Sequence, residues 1–137
     1  MSLFIDTSVW YAAAASSDSN NSQAKAILAT DEPFITTDHV LVETWILLRW
    51  RIHRRAAERF WEAMRGGVAA IEPVGAADLE AAWQIGLGYR DQDFSLVDRT
   101  SFAVMCRLGI DHAASFDADF AIFRFGPRRR HAFTIVR

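Results

Sequence analysis

Short apolar runs alternate with longer amphipathic segments along the whole chain. Apolar runs bounded by turn residues predict strands at 2–5, 33–36, 68–74, 112–116 and 131–136. Apolar positions at helical spacing predict helices at 7–15, 22–29, 38–50, 54–65, 76–89 and 95–108, with a short helical turn at 120–123. Strands separated by helix-length segments are typical of a parallel sheet covered on both faces. The pattern therefore predicts an α/β fold, a three-layer α/β/α sandwich with a central parallel sheet.

Length and composition limit the number of domains and the kinds of site that the chain can contain. With 137 residues, of which 51% are hydrophobic, the chain can bury its own core, and we expect residues 1–137 to form a single domain. The lone cysteine, Cys106, excludes an internal disulfide and any zinc site built from several cysteines. No apolar stretch approaches the ~20 residues of a membrane helix. The sequence therefore predicts a cytoplasmic protein that does not partner with a membrane.

The net charge of −2 is the sum of four blocks of opposite sign. Residues 1–48 and 66–119 are acidic overall, whereas residues 49–65 and 120–137 are basic, and all the basic residues except Lys25 are arginines. Because the arginine fork matches phosphate geometry, arginine blocks beside acidic blocks indicate an anionic partner held near a cation site. Solvated helix faces would give the same composition, so charge alone leaves both interpretations open.

Two of the predicted strands are followed by an aspartate. Asp6 comes directly after the first strand, and Asp117 ends the fourth. In open α/β sheets the site lies outside the carboxyl ends of the strands, near a switch in strand order. If the two strands are neighbours, both carboxylates project into one crevice. The alternative is that each aspartate only caps the helix that follows it.

Two further acids lie within predicted helices, on faces that are mostly apolar. Glu43 lies in the third helix and Asp98 opens a later one. A desolvated carboxylate is costly unless a cation or a hydrogen-bond donor compensates it. Local pairing with Arg49 or Arg99, or a solvent-facing position, is the alternative to a functional role.

Four carboxylates that converge on one cleft repel one another, and a divalent cation would relieve that repulsion. Oxygen ligands favour Mg²⁺ or Mn²⁺ over zinc, and such an ion can activate water and neutralise charge on a phosphate. Hydroxyl groups next to the acids are candidate supporting residues. Thr7 and Ser8 could contact the water or the phosphate, and Ser95 and Ser115 could fix the carboxylates of Asp98 and Asp117.

Four motifs, in this order along the chain, resemble the PIN domain, specifically the small ribonucleases that are VapC-type toxins of prokaryotic toxin–antitoxin pairs. The motifs are Phe4-Ile5-Asp6-Thr7-Ser8-Val9, Glu43 in the long third helix, Ser95-Leu96-Val97-Asp98, and Ser115-Phe116-Asp117-Ala118-Asp119-Phe120. They run nearly from end to end of the chain. Each motif is weak by itself, and their order and spacing carry the resemblance.

The resemblance implies a catalytic site, a cofactor and partners. It makes Asp6, Glu43, Asp98 and Asp117 the catalytic residues that bind Mg²⁺ or Mn²⁺, with Asp119 as a further candidate ligand. The family cleaves RNA phosphodiester bonds with metal-activated water, usually leaving 5′-phosphate and 3′-hydroxyl ends. Its toxins are typically homodimers, silenced by a cognate antitoxin whose tail enters the active-site groove. The resemblance therefore implies an RNA substrate, a cognate antitoxin and a homodimer.

The chain departs from the family pattern at two places. Ser115 stands where the family often has threonine, which keeps the hydroxyl, and the run Arg128-Arg129-Arg130 is not a family signature. The role of that run stays open at this point. A PIN fold without catalytic activity, which binds protein or RNA, is the alternative to a ribonuclease.

The first arginine block supplies candidate RNA contacts. Arg49, Arg51, Arg54 and Arg55 could follow an RNA backbone, while Trp50 or Trp61 could stack on a base. For Trp50, Phe60, Trp61 and Met64 we favour packing in the core or at a dimer interface, because an aromatic stripe at helical spacing is more often packing than recognition.

Overall fold

The central strand of the sheet is β1 (Leu3–Ile5), whose three residues are all buried. The computed structural model describes residues 2–137. β1 pairs in parallel with β2 (Phe34–Thr37) on one side and with β4 (His112–Ala114) on the other. β3 (Ala70–Glu72) and β7 (Thr134–Val136) extend the sheet beyond β2 and β4. The order β3-β2-β1-β4-β7 is parallel throughout, which confirms the predicted sheet.

Helices connect the strands and cover the sheet. They are α1 (Thr7–Ala14), α2 (Asn21–Leu28), α3 (Asp38–Arg51), α4 (Arg54–Arg65), α5 (Ala76–Gly88), α6 (Leu96–Leu108) and α7 (Asp119–Ile122). α3 packs against α4, and α5 packs against α6. Sheet and helices together form the three-layer α/β/α sandwich that the sequence predicts. None of these helices, within residues 2–137, is long and apolar enough to cross a membrane.

Hydrogen bonds from local side chains define where the long helices begin. The Thr37 hydroxyl accepts a hydrogen bond from the Val40 amide and starts α3. The Ser95 hydroxyl accepts one from the Asp98 amide and starts α6. α6 ends at Gly109, which has φ +69°, a left-handed conformation that glycine adopts without steric cost. These signals place Asp98 in the first turn of α6.

The chain order along the sheet reverses between β1 and β4. From β1 the chain moves outward to β2 and β3, and it then returns to β4 on the opposite side of β1. The Asp6 amide donates a hydrogen bond to the Ala114 carbonyl (3.0 Å), so the two strand ends lie side by side. This reversal is where open α/β sheets place their binding sites.

A two-stranded hairpin separates α7 from β7. β5 (Arg124–Phe125) pairs antiparallel with β6 (His131–Ala132), and a 3-10 turn at Pro127–Arg129 joins them. We call residues 124–132 the basic hairpin. The prediction of one strand over 131–136 was wrong, because its first residues pair with β5 and its last residues pair with β4.

Phenylalanine rings attach the end of the chain to α6. The Phe102 ring stacks on Phe123 with centroids 4.5 Å apart and meets Phe120 edge-on at 4.9 Å. Phe133 adds a further contact to both Phe102 and Phe123. This packing fixes α7, and with it the loop that carries Asp117, against α6.

Candidate functional site

The carboxyl ends of β1 and β4 open into a cleft of about 480 Å³. Its wall carries the carboxylates of Asp6, Glu43, Asp93, Asp98, Asp117 and Asp119. We call it the acidic cleft. All four acids proposed from the sequence, together with Asp119, therefore line one cavity, although they come from distant parts of the chain. That shared position is the condition on which the sequence-based hypothesis depends.

Asp6 forms the floor of the acidic cleft and is only 4% exposed. Its carboxylate accepts hydrogen bonds from the hydroxyls of Ser115 (2.8 Å) and Ser8 (2.9 Å). It also accepts from the Ser8 amide at 3.5 Å, so it caps α1 as well as facing the cleft. Burial raises the pKa of Asp6 to about 6, against the lowering effect of the two hydroxyls.

A serine network ties the two strand ends together. The Ser8 hydroxyl accepts a hydrogen bond from the Phe116 amide (3.0 Å) and lies 3.4 Å from the Ser115 hydroxyl. The Ser115 hydroxyl accepts from the Asp117 amide at 3.0 Å. Contrary to the sequence-based expectation, Ser115 thus orients the carboxylate of Asp6 and the backbone of Asp117, not the Asp117 carboxylate.

Three carboxylates form the closest group in the cleft. Asp98, Asp117 and Asp119 each present one oxygen, and these oxygens all lie within 4.8 Å of one another. Asp6 and Glu43 line the cleft outside this group. The Asp98 carboxylate accepts a hydrogen bond from the Ser95 amide at 3.3 Å, so it is the backbone of Ser95, not its hydroxyl, that contacts this carboxylate.

Burial and the repulsion between neighbouring carboxylates both favour the protonated form of the acids in this group. Burial, the charge of Asp6, a hydrogen bond with Asp119 and the charge of Asp117 together raise the pKa of Asp98 to about 8. Burial also raises the pKa of Asp119, while its hydrogen bond with Asp98 opposes that shift. Without a cation, the cleft thus retains a proton on Asp98 near neutral pH.

The helix face of α3 supplies the opposite wall of the cleft. Glu43 is half-buried there, and Leu47 and Arg51 follow it at helical spacing. No ion pair joins Glu43 to Arg49, or Asp98 to Arg99, anywhere in residues 2–137. The local pairing considered from the sequence therefore does not account for either carboxylate.

The PIN domain family matches residues 3–126. This chain belongs to the PIN-domain family, among the VapC-type toxins. The 23S rRNA-specific endonuclease VapC20 of Mycobacterium tuberculosis, from strains CDC 1551 / Oshkosh and H37Rv, is 39% identical over 124 residues, which are 90% of this chain and 95% of the relative.

Solved structures agree with this assignment. The crystal structure of M. tuberculosis VapC20, described as a sarcin–ricin loop cleaving toxin, superposes with a TM-score of 0.81 at 38% identity, over 85% of this chain and 91% of that one. VapBC2 from Rickettsia felis, bound to a DNA fragment from its promoter, superposes with a TM-score of 0.64 at 10% identity, over 86% and 89%. The second likeness extends to the fold alone.

The donor set of this PIN domain fits a hard divalent cation. Every candidate ligand in the acidic cleft is an oxygen, which favours Mg²⁺ or Mn²⁺ over softer metals. The pKa of Asp98 is raised by burial first and then by the negative charges of Asp6 and Asp117, and a dication would neutralise those charges. The hydroxyl of Thr7, in the same wall, is buried without a hydrogen-bond partner among residues 2–137, so its hydrogen-bonding capacity is unused in the metal-free protein.

Of the arginines proposed as RNA contacts, Arg51 alone lines the acidic cleft. Its guanidinium lies over the Tyr11 ring, 5.4 Å from the centroid. Arg49 lies over Trp50, and Arg54 pairs with Glu58 on the exposed surface of α4. Together with exposed Arg55, these residues lie outside the cleft wall, and their RNA contacts stay predictions.

The expected packing, in the core or at a dimer interface, is found in the core for two of the four residues, and a dimer contact stays a prediction for the other two. Phe60 and Met64 are buried, as expected. Trp50 is 78% exposed and Trp61 is 45% exposed, so neither belongs to the core. Trp50 is on α3 and Trp61 is on α4, whereas Phe60 of α4 packs against Trp10 of α1, with ring centroids 6.0 Å apart.

Sequence reasoning missed several residues of the cleft wall. Tyr11, Asp18, Asn20 and Asp93 all line it. Asp18 and Asn20 lie in the polar turn between α1 and α2, where the Asn20 amide donates to the Asp18 carboxylate at 2.8 Å. The sequence signal for Asp18, Asn20 and Asp93 was no more than a polar loop, which many surface turns share, and Tyr11 lies within α1 with no signal of its own.

Proposed function

We propose that this chain is a metal-dependent endoribonuclease toxin that hydrolyses phosphodiester bonds in RNA within the acidic cleft. The observation that carries the proposal is the convergence of Asp98, Asp117 and Asp119 to within 4.8 Å, beside Asp6 and Glu43. The relative VapC20, at 39% identity, is a 23S rRNA-specific endonuclease. We therefore propose 23S rRNA, and its sarcin–ricin loop, as the substrate of this chain.

The proposed roles of the residues follow from their positions. Asp98, Asp117 and Asp119 would hold Mg²⁺ or Mn²⁺, and Asp6 and Glu43 would complete the negative charge around it. The bound ion supplies Lewis-acid catalysis, activating water and neutralising charge on the phosphate.

Neutral and basic groups in the same cleft support those carboxylates. Ser8 and Ser115 hold the Asp6 carboxylate in one orientation through their hydroxyls. Thr7 offers an unpaired hydroxyl, and Arg51 a cationic contact, for the RNA phosphate.

Residues 1–137 would act as one PIN domain.

Replacing Asp98 with asparagine tests the proposed function. Asp98→Asn keeps the size of the side chain but removes one charged ligand from the closest group. We expect cleavage of a sarcin–ricin loop RNA, in Mg²⁺ or Mn²⁺, to fall by more than about 100-fold. The matched control is Asp31→Asn in the exposed loop before β2, which should cut like the wild type.

The same assay separates an enzyme from a silent PIN fold. A folded wild type that binds the RNA but cuts it in neither metal ion would support the silent binding module and contradict the ribonuclease. Equal cleavage by wild type and Asp98→Asn would contradict the assigned site.

A cognate antitoxin and a second copy of this chain are proposed partners. Family membership is the basis for both proposals. In addition, Val42, Ile46 and Trp61 expose apolar side chains on α3 and α4, and exposed apolar patches mark protein contacts. Sedimentation of the purified chain, alone and with its antitoxin, measures both associations.

A further inference from the structure

We propose that the basic hairpin is a second RNA-binding surface, which holds the phosphate backbone of the substrate outside the acidic cleft. The inference rests on the proposed ribonuclease function. It concerns a segment that the catalytic site does not use. The arginine run of this hairpin, Arg128-Arg129-Arg130, also lies beyond the residues that match the PIN family, which end at residue 126.

The hairpin carries positive charge that the protein itself does not neutralise. It contains Arg124, Arg128, Arg129 and Arg130, and residues 120–137 contain no acid. All four arginines are exposed, and none forms an ion pair with a carboxylate of residues 2–137. Unpaired, exposed guanidinium groups that share one short segment provide phosphate contacts.

Specific contacts fix the hairpin against the end of α5. The Arg129 guanidinium lies over the Tyr89 ring, 4.5 Å from its centroid, and donates a hydrogen bond to the Gly88 carbonyl at 3.1 Å. The Tyr89 hydroxyl accepts from the Arg124 amide (2.9 Å) and donates to the Arg124 carbonyl (3.1 Å). The hairpin is therefore attached to α5 at its tip and at its base.

The turn of the hairpin holds two residues in a left-handed conformation. Arg128 has φ 56° and Arg129 has φ 51°, a region that is sterically unfavourable for an L-residue. The contacts of Arg129 with Gly88 and Tyr89 offset this cost. Arg128 and Arg130, on either side of Arg129, are thus presented by an ordered turn, so RNA binding does not have to order it.

The tip of the hairpin lies close to the acidic cleft. Arg129 contacts Tyr89, and Asp93, only four residues further along the chain, lines the cleft. The backbones of Tyr89 and Asp93 are therefore at most about 14 Å apart, which is about four steps along a nucleic-acid helix at 3.4 Å each, and the two side chains add to this distance. A single RNA stem-loop can therefore occupy the cleft and contact the hairpin together.

Electrostatics explains why such a surface is needed. The cleft that receives the RNA is strongly acidic, and among the residues that the structure describes Arg51 is the one arginine in its wall. A polyanion gains most of its sequence-independent binding energy from lysine and arginine contacts with phosphates. Those contacts must come from around the cleft, and the basic hairpin is an ordered source of them.

Binding of a sarcin–ricin loop RNA to neutralised hairpin variants tests the inference. We compare Arg128→Gln/Arg130→Gln with Lys25→Gln/Arg65→Gln, a control pair that removes the same charge from exposed positions on α2 and α4. Both pairs are placed in the Asp98→Asn background, so that the RNA stays intact. Fluorescence anisotropy then measures Kd between 50 and 200 mM salt.

The hairpin pair should weaken binding on the order of tenfold at 50 mM salt, and lower the slope of log Kd against log salt by about 1.5. In an otherwise wild-type chain it should raise KM with kcat unchanged, because it does not touch the cleft. A hairpin pair that binds RNA like the control pair overturns the inference. The inference is also overturned if the hairpin pair binds RNA like the control pair and loses affinity only for polyglutamate, an acidic peptide used as a probe.

Wild-type cleavage of the same RNA, measured in parallel, keeps the two proposals apart. A wild type that cuts, with a hairpin pair that binds like the control, overturns only the second surface. A wild type that does not cut overturns the proposed function, and the anisotropy still decides whether the hairpin binds RNA.

Discussion

Asp6 shows that a capping role and a site role are compatible in one side chain. From sequence these were alternatives, since aspartate before a helix is a common cap. In the fold, the Ser8 amide and two serine hydroxyls occupy part of the carboxylate, while the side chain still faces the acidic cleft. A carboxylate has about four lone-pair sites, so these contacts leave capacity for a ligand.

Thr7 provides a residue-scale prediction, because its buried hydroxyl has no partner among residues 2–137. Thr7→Val keeps the shape and removes the unsatisfied group. We expect it to raise the free energy of unfolding by about 1 kcal/mol and to slow RNA cleavage. Urea denaturation and the cleavage rate measure the two effects.

Thr36→Val is the matched control for that prediction. The Thr36 hydroxyl is fully buried and donates to the Ile5 carbonyl at 2.9 Å, so its loss should lower stability by about 1 kcal/mol. If Thr7→Val destabilised the protein to the same extent and left cleavage unchanged, Thr7 would have no functional role.

At the scale of elements, helices with strong local signals were predictable and short strands were less so. The helix at 54–65 agrees with the structure at both ends, and α3 differs from its prediction by one residue. The strand predicted at 68–74 is paired only at Ala70–Glu72, because strand length depends on the neighbour it meets. The left-handed turn at Arg128 and Arg129 was not predictable, because neither position is a glycine.

The acidic cleft was likewise predictable only as far as local sequence features define it. Strand ends and apolar helix faces identified four carboxylates, because both are local sequence features. Which of them lie closest depends on side-chain direction in the folded protein. The structure puts Asp119, ranked below the other four from sequence, in the closest group, and leaves Asp6 and Glu43 outside it.

The α5–α6 pair gives an element-scale prediction. Asp78 is 3% exposed and accepts hydrogen bonds from Arg107 at 2.8 and 3.0 Å and from the Gly75 amide at 2.9 Å. Asp78→Asn should lower the free energy of unfolding by about 1–3 kcal/mol. This range already allows for the partly exposed Arg107 side chain, where solvent screens the ion pair. Urea denaturation measures the loss.

A comparison with Glu72→Gln makes that prediction specific. Glu72 pairs with the same Arg107 at 3.1 Å but is more exposed, so its loss should cost less than about 1 kcal/mol. Both variants should cut RNA normally at temperatures where they are folded, since neither residue lines the cleft. Equal losses of stability in the two variants would contradict the importance of burial at Asp78.

At the scale of the whole molecule, folding converts the charge blocks of the sequence into regions of a surface. Acids from distant segments meet in one cleft, whereas most of the basic residues lie outside it, on α3 and α4 and on the basic hairpin, and Arg51 lies in its wall. An acidic centre with basic surroundings suits a protein that brings a cation and a polyanion together. The small net charge of −2 hides this arrangement.

The stability of the whole metal-free protein should therefore fall as the pH rises from about 4 to 8. The folded pKa values of Asp6 and Asp98 are about 6 and about 8, both above the ordinary value of 3.8. In this range the folded state keeps protons that the unfolded chain releases, so raising the pH favours unfolding. Asp6 alone contributes on the order of 3 kcal/mol. Urea denaturation in EDTA at pH 5 and pH 8 measures the difference.

Mg²⁺ should act in the opposite direction, and more strongly at pH 8 than at pH 5. Protons and the cation compete for the same carboxylates, and a cation that binds only the folded state stabilises it. Asp98→Asn should flatten the metal-free curve between pH 6 and 8, because its amide does not titrate. A wild-type stability that stays level or rises between pH 5 and 8 in EDTA would show that the carboxylates are not crowded as the fold places them.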